Sequence, residues 1–103
     1  MPEKEYIIPY SEDVRKRHYH STQKGKIFKF MVQLEVKVEG QWREVVRYDC
    51  AHRHTHRDSY NLRGRHRKEN LNLSFEDALD LADDDIDENW EIYKDYFLRG
   101  DLP

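Results

Sequence analysis

The sequence predicts an α+β fold: an antiparallel meander sheet of about four strands with a long C-terminal helix packed on one face. Three observations carry this. From Lys26 to Glu39 the even positions Phe28, Phe30, Val32, Leu34, Val36 and Val38 are all apolar and the odd positions are mostly polar, the period of a strand with one buried face. Glu39-Gly40-Gln41 supplies a turn, and a second alternating run, Trp42 to about Cys50, returns from it as the other half of a hairpin. From Phe75 to Leu98 the residues Ala78, Leu79, Ala82, Ile86, Trp90, Tyr93 and Phe97 recur at spacings of three and four, the stripe of an amphipathic helix.

In chain order, residues 1–25 read as an N-terminal extension and 26–103 as a single domain. Tyr6-Ile7-Ile8-Pro9-Tyr10 is a short extended patch, since Pro9 disfavours helix at Ile8. Ser11 is placed to cap a short helix over Glu12 to Tyr19, and Ser21 to Gly25 is a loop. In the second hairpin strand Trp42, Val46, Tyr48 and Cys50 share the core face, opposite Arg43, Val45, Arg47 and Asp49. Continued unbroken, this parity would also turn His52, His54 and His56 into the core. Burying three imidazoles against apolar side chains is costly unless each finds a partner. A bulge or turn between Cys50 and Arg53 is therefore expected. A third strand from about His54 to Tyr60, a turn at Asn61–Gly64 and a fourth strand from Arg65 to Leu71 follow. Ser74 is the helix N-cap, and Arg99-Gly100 is the stop signal. At ~1.5 Å per residue the helix is ~36 Å long, so it should overhang the sheet or cross it diagonally, with its stripe on the Phe28–Val38 face.

Charged residues make up 38% and apolar ones 37%, but 13% aromatics supply enough buried area to argue against disorder. No run approaches the ~18 apolar residues of a membrane span, and the first residues lack the apolar segment of a signal peptide. The lone cysteine, Cys50, forms no internal disulfide, and burial as an inert thiol is expected for it. A soluble, cytoplasmic protein is expected. The net charge of −3 conceals a division: residues 1–46 carry +2, 47–68 carry +5 and 69–103 carry −10. Either the basic middle binds an anion, or the acidic tail neutralises it within the fold.

The chemistry concentrates in Arg47-Tyr48-Asp49-Cys50-Ala51-His52-Arg53-His54-Thr55-His56-Arg57-Asp58. One reading is cleavage of RNA without a metal: His52 and His56 move protons, Asp49 orients one of them, and Arg47 and Arg57 hold phosphate. A second is a non-enzymatic metal site, with a divalent ion such as zinc on His52, His54, His56 and Asp58. Alternate strand residues sit ~6.5–7 Å apart, so three imidazoles meet one ion only if the backbone bends. The third is binding of nucleic acid or an acidic protein by Arg57, Tyr60, Arg63, Arg65, Arg67 and Lys68 on a basic hairpin, Tyr60 stacking a base. The bland reading of the same residues is a solvated hairpin paired with the acidic helix. His18 and His20 also alternate, in a region with no clear element. An exposed first-strand edge and a small core favour a homodimer.

The run Trp42…Val45-Val46-Arg47-Tyr48-Asp49-x-Ala51-His52, then His56-x-Asp58, then Asn89-Trp90…Tyr93 resembles small prokaryotic proteins with an Arg-Tyr-Asp…His…His core, similar to the TumE-like domain of toxin–antitoxin loci. The resemblance spans roughly residues 28–97. Such relatives often have Gly after the first His, where this chain has Arg53, and His54 is an addition. The resemblance implies a compact sheet-plus-helix domain. It further implies a toxin that acts on RNA, neutralised by a partner protein, with Arg47, Asp49, His52 and His56 as functional residues. No cofactor is expected on that reading.

Overall fold

The computed structural model describes residues 2–51 and 53–103. Six strands, β1 (Glu3–Ser11), β2 (Val14–Gln23), β3 (Lys26–Val38), β4 (Gln41–Ala51), β5 (His54–Tyr60) and β6 (His66–Asn70), precede one helix, α1 (Phe75–Arg99). The strands form one antiparallel sheet in chain order, each paired with the next. The α+β meander with a C-terminal helix is as expected, but the sheet has six strands rather than about four. The two extra strands come from the N-terminal 25 residues. Glu12 and Asp13 make the β1–β2 turn, and the short helix expected over Glu12 to Tyr19 is a strand instead.

Cross-strand register divides the side chains between two faces. Toward the helix point Val14, Lys16, His18 and His20 on β2, Phe30, Val32, Leu34 and Val36 on β3, and Val46 and Tyr48 on β4. These apolar residues close the core with Ala78, Leu79, Ala82, Ile86 and Phe97 of α1. Besides a register shift at Tyr10 in β1, two bulges modify the alternation. Leu34 pairs Val46 while Glu35 pairs Glu44, so Val45 is an extra residue in β4. Below it the parity reverses: Trp42 pairs Lys37 on the face away from the helix, where the Arg15 guanidinium stacks 4.0 Å from its ring. Trp42, expected in the core, is thus outside it, and Val45, expected outside, is buried. The second bulge lies between Ser21–Lys29 and Thr22–Ile27, leaving Phe28 unpaired and 52% exposed.

Helix α1 is capped as the sequence predicts. The Ser74 hydroxyl accepts from the Asp77 N–H at 3.1 Å, and Gly100 takes the left-handed conformation at φ 89°. A Cβ at Gly100 would lie 2.7 Å from Arg63 Nε, a contact the flexible Arg63 side chain can relieve by moving, so the left-handed φ is what favours glycine there. The Asn61 side chain donates to the Gly100 carbonyl at 2.8 Å, tying the β5–β6 connection to the helix end. Among the described residues no helix is long and apolar enough to cross a membrane.

Candidate functional site

The expected irregularity after Cys50 is a tight turn. β4 ends at Ala51, β5 begins at His54, these two residues pair, and Arg53 has φ 68°. The turn resolves the parity conflict. Asp49 pairs His56 and Arg47 pairs Asp58, so His54 and His56 lie on the face away from the helix. His52 lies outside the described residues.

Among the described residues no element covers that open face, and register orders its residues into rows crossing all six strands. One row runs Glu5, Tyr19, Met31, Asp49, His56, Asn70. The next runs Ile7, Arg17, Gln33, Arg47, Asp58, Lys68. Beyond it Tyr60 pairs His66, and their rings stack at 4.7 Å. Burial presses the Tyr60 hydroxyl pKa up to about 12, with nearby Glu44 and Asp58 adding to the shift.

Two acids of this face, Glu35 and Asp58, lie beneath its cations, while Glu5, 3.4 Å from Arg17, is exposed. The Glu35 and Asp58 side chains are 6% and 7% exposed, while those of Arg17 and Arg47 are both 38%. Arg15 Nε meets Glu35 at 2.6 Å, Arg47 Nε meets Asp49 at 3.0 Å, and Asp58 is bound by His66 Nε2 at 2.7 Å. Lys68 makes no ion pair among the described residues. The His54 and His56 ring centroids are 6.4 Å apart, and the buried His56 Nδ1 has no hydrogen-bond partner among the described residues.

The structure therefore brings together Arg47, Asp49, His54, His56, Asp58, Tyr60 and Lys68. It separates others. Arg57, expected on phosphate, pairs with Tyr48 on the helix face and is buried there. Its guanidinium donates to Ser59 Oγ at 2.6 Å, Tyr48 Oη at 3.1 Å and the Pro103 carbonyl at 3.2 Å. It is thereby removed from the histidines because consecutive strand residues face opposite ways. Arg67 shares its face and binds the Pro103 carbonyl at 3.0 Å. Arg63 and Arg65 lie beyond Tyr60, at the far end of β5 from Arg53, ~20 Å away at the rise of a strand. The basic middle is not neutralised by the acidic helix. Arg57 alone of its seven cations comes within ion-pair range of a helix acid among the described residues, at 3.9 Å from Asp85. Among the described residues no three His, Cys, Asp or Glu side chains are grouped to hold a metal ion.

Sequence reasoning missed a second polar cluster, on the helix face between β2 and α1. Lys16 Nζ, 2% exposed, sits 3.0 Å from Asp83 and 2.9 Å from Asp87. His18 Nδ1 lies 3.1 Å from Asp83, and its Nε2 lies 2.7 Å from His20 Nδ1. Tyr6 stacks on His18 at 4.5 Å, and the Tyr10 hydroxyl donates to Asp87. Burial and the neighbouring His18 and Lys4 hold the His20 pKa below its ordinary value. The available signal was the alternation of Val14, Lys16, His18 and His20 with the acids at 83 and 87, one helical turn apart.

Fold and site together define a small single-sheet α+β protein with one face closed by a helix and the other presenting a polar, ring-bearing surface. The chain belongs to the family described as domain of unknown function DUF7718, which matches residues 1–102. No curated protein and no solved structure matches it.

Proposed function

We propose that this is an RNA-binding protein and that the open sheet face is where a single strand lies. The observation that carries this reading is the layering of charge. Arg17, Arg47 and Lys68 occupy one row on alternate strands, with the buried acids Glu35 and Asp58 beneath them. Alternate strands are ~9.5 Å apart, so the three cations mark a track of ~19 Å across the sheet. Tyr19 and His56 border this track on one side, and the Tyr60–His66 stack borders it on the other. Phosphates need cations, and unpaired bases need rings to stack on; a sheet face that alternates the two suits a single strand better than a duplex, whose bases already stack on each other. Titrating a labelled single-stranded RNA by fluorescence anisotropy tests this. Arg17→Ala, Arg47→Ala and Lys68→Ala should each weaken binding and each lower the salt slope by ~0.7. Equal binding by wild type and the triple variant would end the proposal.

Cleavage is the second reading, favoured by the position of His56. It stands directly across from Asp49, with Arg47 on the same strand face and His54 beside it. On this reading His56 takes the proton of the ribose 2′-hydroxyl as that oxygen attacks the phosphorus, the 5′-oxygen leaves with a proton from water, and Arg47 leaves Asp49 to pair with the phosphate. His56→Gln should bind RNA normally and lose cleavage. In a toxin–antitoxin arrangement, the open face is also the surface a neutralising protein would cover.

A further inference from the structure

A second feature lies at the β4–β5 turn, on the helix side of the sheet. Phe28, Lys29, Cys50, Arg53 and Phe75 line a solvent-open cleft of ≈ 340 Å³. This is the size range of small-molecule sites. Its walls are of two kinds. Phe28 and Phe75 present aromatic rings; Phe75 is fixed by an edge contact to the core residue Phe30 at 6.1 Å, while Phe28 is turned half into solvent at the β3 bulge. Lys29 and Arg53 bring two positive charges, and neither makes an ion pair among the described residues. Between them Cys50 accepts from the Phe30 N–H at 3.3 Å and donates to its carbonyl at 3.8 Å. Burial raises its pKa, so it lines the cleft as an uncharged thiol and not as a nucleophile.

Two rings beside two unpaired cations complement a ligand that is flat and apolar at one end and multiply anionic at the other. We propose that this cleft is a nucleoside monophosphate site, with the base against Phe28 and Phe75 and the phosphate between Lys29 and Arg53. The phosphate charge supplies the partner both cations lack. A purine covers the exposed Phe28 ring, whose exposure otherwise leaves apolar area in water. An aliphatic carboxylate would satisfy at most one of the cations and would gain nothing from ring stacking. Phe75 and Cys50 are turned away from the open sheet face, while Lys29, paired with Ser21 in the parity of the Met31–Tyr19 pair, reaches the cleft from the rim of that face; the site lies apart from Arg17, Arg47 and Lys68 and does not depend on the RNA reading.

The test is a titration of the full chain with adenosine 5′-monophosphate by calorimetry and by amide NMR shifts. Saturable binding is expected, with shifts at Lys29, Cys50, Arg53 and Phe75. Adenosine alone and inorganic phosphate alone should each bind more weakly, since each engages half the cleft. Phe28→Ala, at an exposed position that leaves the core intact, should weaken binding roughly 5- to 100-fold, the range of one lost base–aromatic stack. Arg53→Gln should weaken the monophosphate and leave adenosine unaffected. No saturation, phosphate binding as tightly as the nucleotide, or octanoate displacing the nucleotide at equal concentration would each overturn the proposal. Loss of single-stranded RNA binding on mutation of Arg17, Arg47 and Lys68 should leave the nucleotide titration unchanged, so the two proposals fail separately.

Discussion

Replacing Arg57 by leucine separates its packing from its charge. The guanidinium lies 5.3 Å from the Tyr93 ring and 5.7 Å from the Tyr48 ring, and it is 9% exposed. Leucine retains much of that contact. It removes the donors to Tyr48, Ser59 and Pro103 and the positive charge 3.9 Å from Asp85. Stripping one partner from a buried ion pair costs ~3–5 kcal/mol. Asp85 keeps three other donors, the Tyr48 and Tyr93 hydroxyls at 2.6 Å each and the Asn89 amide at 2.9 Å, so the lower end, ~3 kcal/mol, applies. In a domain this size that lowers Tm by roughly 12–24 °C. Urea titration followed by circular dichroism measures the loss. RNA affinity, measured where the variant is folded, should stay within about twofold of wild type, because Arg57 points away from the open face. A loss of stability under ~1 kcal/mol combined with tenfold weaker RNA binding would refute the reasoning and return Arg57 to the phosphates.

Three further outcomes follow from the same structure. The folded-state pKa of His20 is depressed, so its contribution to stability is present above its unfolded value near 6.5 and is lost as pH falls below it; urea midpoints should drop on acidification, and His20→Gln should flatten that drop. Burial and the hydrogen bond to Asp85 raise Tyr93 to about 12, so its contribution is complete below pH ~10 and disappears as pH rises toward 12; absorbance at alkaline pH should show its ionisation coinciding with unfolding. Gly100→Ala meets the positive φ and should lower stability by at least ~1 kcal/mol in the same urea assay, more than an alanine elsewhere in the helix's last turn.

Where a strand buries apolar residues, its sequence declared it. β3 is apolar at each core position from Phe30 to Val36, and α1 was legible from Ser74 to Gly100 because its caps are made by local chemistry. β2 was hidden because its helix-facing side carries Lys16, His18 and His20, the first two of them held by Asp83 and Asp87 more than sixty residues away. Periodicity reads hydrophobicity and cannot see a partner supplied by tertiary structure. β1 was legible only as the extended patch Tyr6–Tyr10: an edge strand with little burial, it carries apolar residues on consecutive positions and shows no alternation of faces. The Val45 bulge moved Trp42 off the core, since one inserted residue exchanges the faces of everything before it. In the site, the same parity argument that correctly placed an irregularity after Cys50 could have excluded Arg57. Once His56 faces outward, its immediate neighbour on the strand must face in. Arg63 and Arg65 looked contiguous with the histidines in sequence, yet a strand's length separates them.

The proposed role of the row Arg17, Arg47 and Lys68 on the open face is to hold a single strand of RNA. Its most direct measurement is the salt dependence of binding, comparing wild type with the triple alanine variant. If all three cations contact phosphates, the slope of log K against log salt should fall by about two, from ~0.7 per contact, and affinity should fall with it. An unchanged slope and an unchanged affinity would show that RNA, if bound, lies elsewhere, and would contradict the account.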